Sequence, residues 1–184
     1  LQSSAASDVY KRQGKNIGNF FDWIKGAELV ELKECNTKED PVRPELDNTF
    51  RRSYGRKIFG VKYKREIHAV MCFAYTNEIP KSVEELDIMS QDAHLQSTLR
   101  GQNVGKIAIA YTVWSKKKGG GKLIVKEVFN KIKKSNHLNR LVTLSPLTDM
   151  AYKFHIKNGA KLISVNETTP VSYTHLTLPT TEAV

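Results

Sequence analysis

Apolar and polar positions along the chain change period several times, and each change marks an element. In residues 17–25 (IGNFFDWIK) apolar side chains fall at 17, 20, 21 and 24, the spacing of one helical face, and Gly26 follows as a stop. Residues 27–35 alternate as a strand, and the charged, Pro-containing stretch 36–45 reads as a loop. Two β-branched and aromatic runs, 56–63 and 66–76, are joined by Lys64-Arg65, which predicts an antiparallel hairpin. The second run is apolar on both faces and so belongs inside the sheet.

Pro80 ends that strand, and Ser82 with Glu85 three residues later is the capping-box pattern of a helix start. A polar helix or lid-like excursion then runs to about Arg100. Residues 104–114 (VGKIAIAYTVW) are nearly continuous apolar sequence, the mark of a central strand. After the stretch WSKKKGGGKL, Leu123, Ile124, Val128, Phe129 and Ile132 share one helical face, with lysines on the other. Residues 140–144 form another strand. Ser145-Pro146 opens a helix through Met150, Ala151 and Phe154, which Asn158-Gly159 ends, and 161–165 is the last strand. Strand, Gly-rich loop, helix, strand is a βαβ unit, so 104–114 and 140–144 are expected to be parallel with a right-handed crossover. The loop then sits at the carboxyl end of its strand, where open α/β sheets bind ligands.

The ends of the chain fit none of this. Ser3–Gln13 back-translates to a transposase-type library adapter, and Val171–Thr181 to the reverse complement of the same oligonucleotide in another frame. Residues 1–13 and 171–184 are therefore set aside as adapter-derived. What remains, 14–170, is one domain of about 155 residues, enough to bury a core.

Charge and cysteine content narrow the class. The net charge of +10 lies wholly in the central segment, because Asp8, Lys11, Arg12 and Glu182 cancel. An anionic partner follows from it. Cys35 and Cys72 stand far apart without a CxxC or His/Cys cluster, so neither a disulfide framework nor a metal site is expected. Cys72 reads as inert core. No apolar run approaches the roughly 20 residues of a membrane span and no signal peptide precedes the central segment, which points to a soluble, cytoplasmic protein.

The loop carries the chemistry. A helix start leaves backbone N–H groups without partners and is positive, glycines at 119, 120 and 121 let an anion approach them, and lysines surround it: a phosphate site. A Walker loop fails, since Leu123 follows Lys122, and a dinucleotide fingerprint fails, since residue 124 is Ile and the next strand ends in Leu144-Ser145 without an acid. The run Lys116-Lys117-Lys118-Gly119-Gly120-Gly121 instead resembles the [QR]-x-x-G-x-[GA] loop of the GNAT superfamily of acyl-CoA-dependent N-acetyltransferases, with Lys in the first position. Thr148–Ala160 (TDMAYKFHIKNGA) resembles that family's later helix pattern N-x-x-A-x-x-x-Y-x-x-x-G-F, with Thr148, His155 and Ala160 in place of Asn, Tyr and Phe.

The resemblance implies an α/β (α+β) fold: a mixed, mostly antiparallel sheet with a splayed central parallel strand pair, flanked by helices. It implies acetyl-CoA as donor, its pantetheine arm on Tyr111, Thr112 and Val113, and its pyrophosphate on Lys116, Lys117, Lys118, Gly119, Gly120, Gly121 and Lys122, with Thr148 grouped among the cofactor-binding residues. The acceptor is an amine, small molecule or peptide. His155 is the candidate proton donor to the departing thiolate, Tyr152 one turn earlier its substitute, and Glu78 the candidate base, because the central strand carries no carboxylate. His68 and His94 read as structural or exposed, and Trp114 as an anchor of its strand. Two alternatives stand beside the enzyme: a basic nucleic-acid-binding module, suggested by the lysine-rich helix 122–134 but without a recognised signature, and a catalytically silent CoA-binding domain.

Overall fold

The structure, a computed structural model, describes residues 18–146, 148–164 and 171–175. A helix over 18–26 (α1) leads into β1, Glu28–Leu32. A loop with one 3-10 turn, Thr37–Glu39, is followed by a short helix, Asn48–Arg52 (α2). β2, Lys57–Tyr63, and β3, Glu66–Thr76, form the expected hairpin: Lys64 and Arg65 take φ of 48° and 70°, the two-residue turn whose twist suits paired strands. The third helix, α3, Val83–Arg100, starts where the capping box places it. Ser82 Oγ accepts from the Glu85 N–H at 3.1 Å. There follow β4, Ile107–Ser115, α4, Gly120–Lys133, and β5, Arg140–Pro146. The chain continues through α5, Asp149–Lys157, β6, Lys161–Ser164, and β7, Val171–His175.

Among the described residues seven strands make one sheet in the order β1-β2-β3-β4-β5-β7-β6. Every neighbouring pair is antiparallel except β4 with β5. That parallel pairing joins only Ile107–Ala110 to Arg140–Thr143. Beyond it the two strands continue unpaired to each other, while on its other edge β5 pairs with β7 through Thr143–Pro146. The expected splay is therefore present, and it opens at the carboxyl end of β4. The strand on that outer edge, β7, lies in the segment read from sequence as adapter-derived.

Two apolar layers cover the sheet. On one face Phe59, Met71, Phe73, Ala108 and Ala110 meet α4 through Leu123, Ile124, Val128 and Ile132. On the other, Ile58, Val70, Cys72, Ile109 and Val142 lie with Leu86 of α3. The register of β3 on β4 slips between Cys72, opposite Thr112, and Phe73, opposite Ala110, so Tyr111 is an extra, bulged residue. After the bulge the alternation inverts: Val113 packs with the α4 layer and Trp114 with the α3 layer. The periodicity of α1 also resolves differently from the sequence reading. Its buried side chain is Trp23, while Phe21 is 55% exposed, because a single indole edge-on to Tyr63 and His68 fills the space the helix covers.

Candidate functional site

The Gly-rich loop is shaped by its own hydrogen bonds. Ser115 Oγ lies 2.7 Å from the Lys117 carbonyl and accepts from the Lys117 N–H at 3.2 Å, and the Gly120 N–H returns to the same carbonyl at 2.9 Å. Gly119 takes φ of 83°, a left-handed conformation that favours glycine, and caps α4 without a side-chain bond. Gly120 is packed so closely that a Cβ would overlap the Ser115 hydroxyl. The first bond that closes α4 runs from the Leu123 N–H to the Gly119 carbonyl at 3.0 Å. Lys117 and Gly120 thus spend their N–H groups inside the loop. Those of Lys118, Gly119, Gly121 and Lys122 have no hydrogen bond among the described residues, and the helix start has no acidic side chain in its first turn. Four donors at the positive end of a helix suit an anion.

Of these residues Gly119, Gly121 and Lys122 line a cleft of about 730 Å³ between the parted ends of β4 and β5. One wall is Thr112 and Val113, and the floor of the loop is Gly119, Gly121 and Lys122. The other wall is α5, lined from its cap at Thr148 to Phe154 and to His155 in its last turn. His155 is 4% exposed and its Nδ1 has no hydrogen-bond partner. Burial lowers its pKa to about 4. At neutral pH the imidazole is therefore uncharged.

Of the residues singled out from sequence, Thr112, Val113, Lys117, Gly119, Gly121, Lys122, Thr148 and His155 meet at this cleft. Several have side-chain duties as well. The Thr112 hydroxyl lies 2.8 and 2.9 Å from the two carboxylate oxygens of Asp40, and Thr148 Oγ1 accepts from the Ala151 N–H at 3.2 Å, capping α5. Lys117 holds its ammonium over the rings of Trp23 and Tyr63.

Others do not reach the cleft by their side chains. Tyr111 is fully buried on the opposite face, edge-on to Phe50, where it continues the alternation of Ile107 and Ile109. Lys116 pairs with Glu39 at 2.7 Å beside a neighbouring cavity, Lys118 is exposed, and Gly120 is sealed against Ser115. Tyr152, on the outer side of α5, is 47% exposed. Glu78 follows Thr76, which pairs with Ile107 at the start of β4. Eight residues of strand, roughly 26 Å at the usual rise, separate that point from Ser115, so the carboxylate stands at the far end of the sheet.

Sequence reading missed three participants. Asp40, which holds Thr112, lies in what reads as a plain charged loop, and no pattern distinguishes it from its neighbours. Arg51, its buried partner at 2.8 Å, sits in a helix of five residues, too short for periodicity to show. Ser115 borders the loop but belongs to no part of the motif.

Among the described residues no group of three or more His, Cys, Asp or Glu side chains is placed to hold a metal ion. Among the same residues no helix is long and apolar enough to cross a membrane.

No family model matches the sequence, and no curated protein does. Solved structures match the fold. A Bacillus subtilis acetyltransferase in complex with CoA is 13% identical, with a TM-score of 0.53 over 83% of this chain and 99% of that one. The loading GNATL domain of CurA from Lyngbya majuscula is 11% identical, with a TM-score of 0.57 over 81% and 96%. Malonyl-CoA decarboxylase from Cupriavidus metallidurans is 20% identical at a TM-score of 0.47 over 71% of this chain, which spans 33% of that longer one. The fold is the GNAT fold, as the loop and strand order predict.

Proposed function

We propose that this chain is an acyl-CoA-dependent N-acetyltransferase, which moves an acetyl group from acetyl-CoA to a primary amine by direct attack on the thioester. The observation that carries this reading is the junction of two features: β4 and β5 part where α4 begins, and three residues with unspent backbone N–H groups, Gly119, Gly121 and Lys122, line the opening. A diphosphate fits those donors, because the glycines at 119 and 121 leave the backbone bare and Lys117 and Lys122 add positive charge at the rim. The unpaired edge of β4 past Ala110 offers backbone groups to an extended amide-bearing arm, as an added strand would use them. The domain carrying the activity lies within residues 14–170, with both terminal stretches read as adapter-derived.

Bound there, acetyl-CoA supplies the thioester carbonyl that the amine attacks. The chain supplies placement, exclusion of water by Val113, Leu144 and Phe154, and a proton path at His155. A neutral imidazole of pKa about 4 is a weak base, and the one ring N–H it keeps is too weakly acidic to protonate a leaving group at neutral pH. It can take a proton at the partnerless Nδ1 as the amine nitrogen becomes acidic on acylation. It gives that proton up to the departing thiolate, whose conjugate thiol has a pKa of about 8.5. The thiolate is by far the better base, so the transfer runs downhill. Glu78 is too distant to take part, and the acceptor amine enters as the free base.

Calorimetric titration of the full chain with acetyl-CoA tests binding, and release of free thiol across a panel of primary amines tests turnover. Saturable binding with amine-dependent thiol release is the expected result. Absence of binding at millimolar acetyl-CoA would overturn the proposal, and binding without thiol release from any amine would leave a silent CoA-binding domain.

A further inference from the structure

Behind β4, on the face away from α4, the polar cluster that holds Thr112 through Asp40 extends to two thiols that acyl transfer does not use. Arg51 is completely buried and spends its guanidinium on four partners: the Leu46 and Arg43 carbonyls and an Asp40 carboxylate oxygen, each at 2.8 Å, and Cys72 Sγ at 3.3 Å from Nη1. Cys72 is fully buried in the middle of β3. Against it comes Cys35, from the loop after β1. Asn48 of α2 clamps that loop: its Oδ1 accepts from the Cys35 N–H at 3.0 Å, and its Nδ2 donates to the Cys35 carbonyl at 3.0 Å. The Cys35 sulfur lies 3.5 Å from the same Oδ1. Asn48, which holds Cys35, and Arg51, which holds Cys72, stand one turn apart on α2, and Cys35 packs against the apolar cluster that contains Cys72, so the fold brings together two thiols that sequence spacing gave no reason to pair.

The two sulfurs differ in access and in charge state. Cys35 is half-buried and lines an open cavity of about 550 Å³, shared with His68 and Lys116, while Cys72 has no exposure. A hydrogen bond from the Cys72 thiol, with the Arg51 charge nearby, brings the Cys35 pKa down to about 7 despite partial burial and the Asp40 carboxylate. Burial drives the Cys72 thiol upward. One thiol is thus a nucleophile open to solvent, and the other is a proton-bearing partner behind it.

We propose that Cys35 and Cys72 are a reversible redox modification site, with Cys35 the thiol that reacts with a hydroperoxide and Cys72 the thiol that resolves it to a disulfide. The Cys35 thiolate attacks the terminal peroxide oxygen. An S–O bond forms, the O–O bond breaks, and the peroxide leaves as the alcohol or water after taking a proton from solvent; sulfur is oxidised to the sulfenic acid and the peroxide is reduced. Cys72 sulfur then attacks Cys35 sulfur. The S–S bond forms, the S–O bond breaks, and hydroxide leaves as water with the proton of the Cys72 thiol. A small dithiol reverses the step by exchange.

The full-length chain, treated with hydrogen peroxide, then alkylated under denaturing conditions and digested without reductant, reads this directly. The expected product is a peptide pair joined through Cys35 and Cys72, lighter by two hydrogens and released by dithiothreitol. Recovery of both cysteines as alkylated thiols, or of Cys35 as sulfinic acid with Cys72 free, would overturn the proposal. In the untreated native protein iodoacetamide is expected to modify Cys35 at least roughly tenfold faster than Cys72 at neutral pH. Equal rates contradict the assigned order. A Cys72→Ala variant is expected to retain a Cys35 sulfenic acid that dimedone traps, and a Cys35→Ser variant to leave Cys72 unmodified. Because the wild-type measurements stand alone, failure of either variant to fold leaves the test intact.

Discussion

The Lys117 ammonium lies 4.8 Å from the centre of the Trp23 ring and 4.9 Å from that of Tyr63. Through this contact α1 and β2 reach into the Gly-rich loop and hold one of its cations beside the cleft. The aromatic pair is itself edge-on at 5.7 Å and buried at its base, so the seat is rigid before the lysine enters it.

A cation over two ring faces contributes about 1 kcal/mol where partly desolvated. Lys117→Met keeps the stem and removes the charge. Acetyl-CoA binding, measured by calorimetry at low salt, is expected to weaken by roughly fivefold, with a smaller loss at high salt. Unchanged affinity at low salt would show that the lysine serves the loop alone.

Gly120 has no room for a side chain, since Ser115 Oγ must stay where it bonds Lys117. Gly120→Ala is expected to cost about 1–3 kcal/mol, the usual range for overpacking, as a lower urea midpoint. The same substitution at Gly18, where nothing lies within 4 Å, is expected to leave the midpoint unchanged or raise it slightly.

Asp40 and Arg51 are both fully desolvated. Arg51→Met strands the carboxylate, which is expected to cost roughly 3–5 kcal/mol in urea unfolding. Adding Asp40→Asn removes the stranded charge and keeps an acceptor for Thr112, so the double variant is expected to recover much of that loss. A double variant no better than Arg51→Met would mean that packing around the guanidinium, and not the charge, sets the cost.

His155 links stability to pH. Its pKa is about 4 folded, from burial, and near 6.5 in an unfolded chain, so the unfolded state binds the proton first as pH falls. The stabilisation from the neutral imidazole is complete above about pH 6.5 and lost as pH falls toward 4. Urea midpoints of wild type and a His155→Phe variant across that window are expected to converge as wild type gives up roughly 3 kcal/mol, an order-of-magnitude figure, relative to the variant. Parallel curves would place the imidazole in a wetter site.

Much of this molecule can be traced along its chain. The hairpin at Lys64-Arg65, the capped start of α3, the apolar β4 and the amphipathic α4 follow from local patterns, because turn chemistry, capping and periodicity act over a few residues. The Gly119-Gly120-Gly121 run announced a phosphate-sized opening for the same reason. Glu78 misled because the lack of a carboxylate on β4 does not say which other carboxylate stands near the cleft. Tyr152 misled because one turn of helix changes the face.

The remaining features depend on strands and loops distant in sequence. Local pattern gave the sheet its strands, its parallel pair and its loop; the bulge at Tyr111, which redirects Val113 and Trp114, exists only against the register of β3. Likewise Asp40 reaches Thr112, Cys35 reaches Cys72, and His155 becomes neutral only when other segments close over them. Dielectric environment and thiol contact are properties of packing, and no stretch of residues read alone contains them.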